Sequence, residues 1–280
     1  IRDRNIVLDI ILIQYMNMGV TGAAIATVAS QIISAILVII VLSRRDDALK
    51  LKINSLHINF SELRKMISIG IAAGMQSAMY TIANILIQAS INSLGTDTIA
   101  AFTAYGKIDT LFWMTIQSLG ISVTTFTGQN YGYGNKERVK KGIIQGMILA
   151  ILATAIVIIL LKLFGRNIYT LFTQDENVLK IGTDMLNFMV VAFPTYIIIE
   201  IFSGSLRGIG DSWIPMIMTA SGVCVLRIVW IIVMVPKYPN IYTILWAYPL
   251  SWVTTSILFL IYMFGFSKMR AWIKLNIYLH

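Results

Sequence analysis

Charged residues are scarce in this 280-residue sequence and make up only 12% of it. Soluble domains carry about 25% charged residues. Hydrophobic residues account for 57%, and the mean hydropathy is +0.77. Because so few charges cannot cover a water-soluble surface, the composition excludes one or two soluble domains. The sequence predicts an all-α polytopic membrane protein.

Cysteine and histidine are almost absent as well. The single cysteine, Cys224, lies in an apolar run, which excludes a disulfide framework or a cysteine-rich metal site. The two histidines, His57 and His280, have no cluster of partner residues nearby, so we expect neither zinc nor haem and no other cofactor. Since no nucleophile and base are paired in the apolar segments, we do not expect an enzyme.

Apolar segments long enough to cross a bilayer recur along the whole chain. A transmembrane helix needs about 20 mostly apolar residues. Seven segments meet this length, and an eighth, at 5–14, covers only half a span. The sequence therefore predicts about seven full transmembrane helices and one partial helix. The seven predicted spans are 20–43, 66–93, 97–127, 142–164, 185–206, 212–236 and 241–266.

Basic residues are distributed unevenly between the two sides of these spans. If the segment 5–14 leaves the cytoplasm and later spans alternate, 16 of the 22 Lys and Arg residues are cytoplasmic and three lie outside. The positive-inside rule requires such an asymmetry. The net charge of +9 is then a consequence of topology, and nucleic acid is not expected as a partner. We expect a multi-pass protein of a bacterial plasma membrane, with the linker 44–65 and the C-terminus in the cytoplasm.

The beginning and the end of the chain resemble each other. RNIVLDIIL, starting at Arg4, aligns with LRIVWIIVM, starting at Leu226, and each copy leads through a short turn into a returning helix. Six spans in one copy and one and a half in the other imply a parent of twelve spans, as in secondary transporters built from repeats. The predicted divisions are the end of an N-terminal lobe (1–43), a linker (44–65), a six-helix C-terminal lobe (66–266) and a tail (267–280).

Five motifs occur in register over about residues 5–266. They are MGVTGAAIATVASQ, GMQSAMYTIANILIQASINSLG, AAFTAYGKIDTLFWM, TTFTGQNYGYGNKERVKKG and GSLRGIGDSWIPM. Together they resemble the multidrug and toxic compound extrusion (MATE) family. This resemblance implies two six-helix lobes around a V-shaped cavity and export of organic cations by Na⁺ or H⁺ antiport. It also implies an N-terminally truncated member, because roughly the first four helices of the family pattern are absent.

A candidate cation-coupling site lies at the start of the chain. Asn5 and Asp9 are four residues apart and share one helix face, and Ala23 and Thr27 have the same spacing on the returning helix. One carboxylate, one amide oxygen, one hydroxyl and one backbone carbonyl suit Na⁺, and a proton can use the same Asp9. The resemblance to the MATE family implies that the matching residues form a cation site together with an aspartate of the first helix. This sequence lacks that aspartate. The alternative is an ion pair between Asp9 and Arg4.

A candidate substrate cavity surrounds the middle of the span 97–127. Lys107 and Asp109 lie there two residues apart, so each needs a partner on another helix or a water-filled cavity. An acid in the cavity attracts cationic drugs, and aromatic side chains offer cation–π faces. The alternative is a structural ion pair such as Lys107 with Glu200. The candidate cavity residues are Gln76, Tyr80, Lys107, Asp109, Trp113, Tyr196 and Glu200.

Two other functions stay open. A lipid-linked oligosaccharide flippase has the same two-lobed architecture but favours a cationic cavity, with several arginines facing inward to bind diphosphate. The predicted spans hold three bases against three acids, which favours a cationic amphiphilic small molecule as substrate. A fragment that transports nothing is the other alternative. The expected partners are the small molecule and the lipid bilayer.

Overall fold

The computed structural model describes residues 2–45, 50–51 and 58–267. These residues form helices joined by turns, which confirms the predicted all-α class. Residues 46–49 and 52–57 of the predicted linker, nearly all of the predicted tail 267–280 and both histidines lie outside the described residues. The chain divides into two compact units, Ile1–Leu63 and Arg64–His280.

The first unit is a pair of helices. Helix α1 (Arg2–Asp9) continues as a π-helical turn, Ile10–Tyr15, and α2 covers Gly19–Ser43. The reversal between them needs a left-handed backbone at Asn17 and Gly19, where φ is 53° at both residues. The two arms approach closely after this turn, because a Cβ on Gly22 would lie 3.1 Å from the Leu12 carbonyl oxygen. Asp9 is the last residue of α1 and directly precedes the π-helical turn.

Among the described residues, the second unit holds the other eight α-helices, the first of which begins at Phe60, just before the division between the units. Short turns join most of them, and Gly95, Gly134 and Gly210 adopt positive φ in three of these turns. Two helices, α8 and α9, are joined by a π-helical turn, Ala220–Val225. The helices are α3 (Phe60–Asn92), α4 (Thr96–Gly132), α5 (Lys136–Tyr169), α6 (Glu176–Ala192), α7 (Pro194–Gly208), α8 (Trp213–Thr219), α9 (Leu226–Met234) and α10 (Ile241–Gly265).

Helices occupy the position of every predicted span, but their number as spans stays a prediction. Among the described residues, five helical segments are long and apolar enough to cross a membrane: α2, α3, α5, α10 and the run Trp213–Met234. The pair α6 and α7 adds a sixth if it counts as one span, and it bends by 51° at Pro194, as a proline within an apolar run predicts. Helix α4 is the longest, at 37 residues, yet it is less apolar because threonine, serine and glutamine recur along it.

Helices α4 and α7 meet through glycine. A Cβ on Gly204 would lie 2.7 Å from the carbonyl oxygen of Gly120, and one on Gly208 would lie 2.6 Å from that of Thr124. The contacting residues are four apart on each helix, so the two backbones approach along one continuous face. Small residues at this spacing allow such approach between membrane helices. This crossing sets the position of α4, the helix that carries Asp109, against α7.

We expect Gly204→Ala to lower the stability of the chain by about 1–3 kcal/mol, because the new methyl group must displace the α4 backbone. Thermal unfolding of the purified protein in detergent measures the effect. Gly70→Ala on α3 is the matched control, since a Cβ there meets nothing within 4 Å. Equal unfolding temperatures for the two variants contradict the close helix contact.

Candidate functional site

Three of the four candidate coupling residues form one hydrogen-bonded cluster in the first unit. The Asn5 amide donates from Nδ2 to the Thr27 hydroxyl oxygen at 3.4 Å. The Thr27 hydroxyl in turn donates to the Ala23 carbonyl oxygen at 2.9 Å. The pairing of α1 with α2 therefore brings together the residues whose spacing singled them out in the sequence. For a cation to bind here, the Asn5 amide must rotate so that its oxygen faces the ion.

Asp9 lies one helical turn beyond Asn5. Its Oδ1 atom is buried and has no hydrogen-bond partner among the described residues. A buried polar atom without a partner costs about 1–3 kcal/mol, and more when it is charged. A monovalent cation or a proton on Asp9 removes that cost. The Arg4 side chain lies outside the described part, so the alternative Asp9–Arg4 pair stays a prediction.

A cavity of about 580 Å³ lies in the second unit among α3, α4, α7, α9 and α10. Ligand pockets in proteins usually measure about 300–1,000 Å³, so a drug-sized molecule fits. Aromatic rings and amides supply most of the walls, and one acid and one base complete them. The lining residues are Ser77, Tyr80, Asn84, Ile87, Gln88, Phe102, Tyr105, Gly106, Asp109, Trp113, Gln117, Tyr196, Arg227 and Tyr248.

Four of the seven candidate cavity residues line this space: Tyr80, Asp109, Trp113 and Tyr196. Trp113 and Tyr196 meet edge to face with ring centroids 4.7 Å apart. The hydroxyl groups of Tyr80 and Tyr196 lie 3.4 Å from each other and join α3 to α7. The rings and the carboxylate therefore belong to one wall, which is the arrangement that cation–π recognition requires.

The other three candidates are not among the residues that line the cavity. Gln76 donates from Nε2 to the Thr219 hydroxyl at 2.9 Å and so ties α3 to α8. Lys107 is exposed, because the two-residue offset from Asp109 turns it towards another side of α4. Neither residue is among those that line the cavity, and Glu200 is not among them either.

Glu200 pairs with Arg207 on its own helix, at 3.4 Å. The two residues are seven apart, so they lie two turns apart on one face of α7. The carboxyl group of Glu200 also covers Gly120 on α4, where no Cβ stands in its way. The ion pair between Lys107 and Glu200 that the sequence allowed is therefore wrong, and Glu200 belongs to the crossing of α4 with α7.

Asp109 is held on one side only. The Trp113 indole nitrogen donates to Oδ2 at 2.5 Å, which is the one-turn contact expected four residues along a helix. The second oxygen, Oδ1, is buried and has no hydrogen-bond partner in the described part of the chain. The Tyr105 hydroxyl, which is also buried without a hydrogen-bond partner in the described residues, lies beside the carboxylate. Asp109 therefore offers the cavity an acceptor that a bound amine or other cation can complete.

Arg227 is the charged cavity residue that the sequence did not identify as a candidate. It is only 3% exposed, donates from Nη2 to the Ser251 hydroxyl at 3.2 Å, and lies 4.3 Å over the Tyr248 ring. The sequence places this arginine within the predicted span 212–236 but does not indicate that it faces the cavity. The signal was the internal repeat, since aligning RNIVLDIIL with LRIVWIIVM places Arg227 opposite Asn5.

Comparison with known proteins gives a consistent result. The family model MatE matches residues 73–233. The chain is 26% identical over 225 residues to the probable multidrug resistance protein NorM of Thermotoga maritima, covering 80% of this chain and 48% of that protein. It is 25% identical over 197 residues to the FAD transporter of Shewanella oneidensis, covering 68% of this chain and 42% of that protein. The chain spans about half the length of the curated relatives it matches.

Solved structures share the fold over nearly the whole chain. An outward-facing multidrug resistance MATE family transporter superimposes with a TM-score of 0.86 at 21% identity, covering 96% of this chain and 60% of that one. A transporter of the MOP superfamily from Pyrococcus furiosus, described as having a binding pocket of reverse polarity, superimposes with a TM-score of 0.87 at 20% identity, covering 97% and 61%.

Proposed function

The chain belongs to the MatE family, whose model matches more than half of its residues, and from this premise we propose that it is part of a secondary active antiporter. The antiporter exports amphiphilic organic cations in exchange for Na⁺ or H⁺. One observation carries the proposal: a carboxylate with an unsatisfied buried oxygen, Asp109, stands among aromatic rings in a drug-sized cavity. A transporter needs no catalytic group and no cofactor beyond the coupling ion.

Substrate binding follows from the wall that Asp109 shares with Tyr80, Trp113 and Tyr196. A cation that enters the cavity loses water, and the carboxylate replaces part of that hydration. Electrostatic attraction is stronger here than in water because the surroundings are less polar. The negative faces of the aromatic rings add about 0.5–2 kcal/mol for each well-placed ring. The apolar body of the substrate meets ring surfaces and Ile87.

We assign coupling to Asp9 together with the hydrogen-bonded cluster of Asn5, Ala23 and Thr27. An ion drives transport only if it binds one conformational state better than the other, and the same difference then changes the affinity for substrate. The oxygens of Asp9, Asn5, Thr27 and Ala23 are hard ligands that suit Na⁺, and Asp9 alone suffices for a proton. Asp9 ends α1 at the π-helical turn, and such turns are frequent at functional sites. Ion binding there shifts the state of the whole transporter.

The setting that fits this function is a bacterial plasma membrane. The uneven distribution of Lys and Arg supports a cytoplasmic linker at 44–65 and a cytoplasmic C-terminus. The division into an N-terminal lobe end (1–43) and a six-helix C-terminal lobe (66–266) belongs to the same proposal. The lipid bilayer is then the partner of the exposed apolar helix faces.

The flippase alternative is less well supported by the cavity. Binding a diphosphate favours several basic side chains, whereas Arg227 is the only base among the described lining residues. One relative is named an FAD transporter, so family membership by itself does not assign the substrate. The carboxylate and the rings of the cavity favour an amine-bearing amphiphile.

Efflux of ethidium tests the proposal directly. We expect a host strain without its own multidrug exporters to expel preloaded ethidium faster when it expresses this gene than with an empty vector. Antiport predicts that the difference disappears when the driving gradient is dissipated. A protonophore dissipates an H⁺ gradient, and replacing Na⁺ in the medium by K⁺ removes a Na⁺ gradient. Efflux equal to that of the empty vector, or efflux that survives both treatments, contradicts the proposed antiport.

A further inference from the structure

Arg227 is a buried charge without an acidic partner. The described ion pairs of the chain do not include it. Its Nε atom is buried and has no hydrogen-bond partner among the described residues, and only the neutral Ser251 hydroxyl accepts from its guanidinium group. A buried charge without a counterion is strongly destabilising. A side chain kept at that cost inside a membrane is by default a functional-site candidate.

The alignment of RNIVLDIIL with LRIVWIIVM places Arg227 opposite Asn5. In the first unit the neutral amide of Asn5 bonds to the Thr27 hydroxyl of the returning helix. In the second unit the guanidinium of Arg227 bonds to the Ser251 hydroxyl of its own returning helix. Each contact joins a helix to its returning helix, but the second unit carries a permanent positive charge where the first carries a neutral amide. Arg227 therefore favours a negatively charged group in the second unit.

Local structure holds Arg227 in the cavity wall. The π-helical turn Ala220–Val225 precedes it by one residue and changes the rotation of α9 relative to a regular helix. The turn packs closely on α10, because a Cβ on Gly222 would collide with the Thr255 hydroxyl. The Tyr248 ring lies under the guanidinium plane at 4.3 Å. These contacts hold the Arg227 side chain in place, while its Nε atom has no hydrogen-bond partner among the described residues.

We infer that Arg227 binds an acidic group of the substrate, so that the cavity selects aromatic zwitterions with an amine at Asp109 and a carboxylate at Arg227. Both charged residues line the same cavity, and each keeps a buried polar atom without a partner. Guanidinium and carboxylate form charge-assisted hydrogen bonds, the stronger kind in proteins. The inference rests on the proposed function only in taking this cavity as a substrate site.

Two dyes test this selectivity. Rhodamine 110 carries a free carboxylate, and rhodamine 123 is its methyl ester with the same aromatic cation. We expect the purified chain in detergent to bind rhodamine 110 at least tenfold more tightly than rhodamine 123, as measured by fluorescence anisotropy. In Arg227→Gln the affinity ratio of acid to ester falls to about one. Lys162→Gln neutralises an exposed base on α5 and keeps the wild-type ratio.

Two results overturn the inference: equal affinities of the wild-type chain for the two dyes, or a wild-type ratio that survives in folded Arg227→Gln. Circular dichroism shows whether the variant folds, and if it does not, the wild-type comparison alone decides. The experiments distinguish failure of the proposed function from failure of the role of Arg227. Loss of ethidium efflux with the dye preference intact refutes antiport alone, whereas intact efflux with equal dye affinities refutes only the role of Arg227.

Discussion

Asp9→Asn is expected to reduce gradient-driven ethidium efflux at least tenfold when the substitution is placed in the gene and its product is expressed in an exporter-free host. The amide keeps the shape of the side chain but cannot take up a proton and carries no charge for Na⁺. The coupling ion then no longer distinguishes the two conformational states, and without that difference a gradient drives nothing. Fluorescence of preloaded cells measures the efflux rate.

The matched control is Glu137→Gln. Glu137 is an exposed acid that pairs with Lys141 at 2.7 Å on the first turns of α5, away from any described cavity. An exposed ion pair contributes about 0–1 kcal/mol, so this variant should retain wild-type efflux. Efflux by Asp9→Asn at the wild-type rate, under the same gradient, removes Asp9 from the coupling mechanism.

Thr27→Val separates the two possible coupling ions. The substitution removes the hydroxyl that links Asn5 to the Ala23 carbonyl but leaves Asp9 in place. If Na⁺ is the ion, it loses one oxygen ligand, and we expect the Na⁺ concentration for half-maximal efflux to rise severalfold. If a proton is the ion, efflux driven by a pH gradient changes little. An absence of effect under either gradient contradicts a role for the cluster in ligating Na⁺.

Asp109→Asn is expected to lower the affinity of the purified chain for tetraphenylphosphonium about 30-fold. A cation and a carboxylate about 5 Å apart at an effective dielectric constant of 20 attract each other by about 3 kcal/mol. Part of that gain offsets the hydration that both charges lose. The remaining loss of about 2 kcal/mol corresponds to roughly 30-fold in the dissociation constant. Isothermal titration of the chain in detergent measures it.

The control for this change lies on the same helix. Asp97 is exposed in the first turn of α4, and Asp97→Asn removes the same charge without touching the cavity. We expect its affinity for tetraphenylphosphonium to stay within a factor of two of wild type. Equal losses in the two variants indicate a general effect of net charge rather than binding at Asp109.

Much of the fold could be predicted from the length and spacing of apolar runs. A bilayer sets the number of apolar residues that a helix needs, so each predicted span coincides with helix in the structure. Pro194 lies at the bend between α6 and α7, because proline removes a helix hydrogen bond. The cluster of Asn5, Ala23 and Thr27 followed from four-residue spacing on two antiparallel helices.

The contacts between helices of the second unit could not be predicted in the same way. Which side chains meet depends on the rotation of each helix about its own axis, and spacing within one helix does not determine that rotation. Lys107, Asp109 and Glu200 were therefore all predicted to line the cavity, and the alternative pair of Lys107 with Glu200 is wrong because Glu200 pairs with Arg207. The position of Arg227 depends further on a π-helical turn, which interrupts the 3.6-residue period from which helix faces are inferred.

Protection of a cysteine in the cavity tests the central claim most directly. The only native cysteine, Cys224, is fully buried, so Gln117→Cys in the cavity wall and Tyr133→Cys in the turn after α4 each introduce one accessible thiol. If organic cations bind in the cavity, tetraphenylphosphonium slows maleimide labelling at position 117 severalfold and leaves position 133 unchanged. If labelling at position 117 is as fast at saturating tetraphenylphosphonium as without it, the result contradicts binding in this cavity.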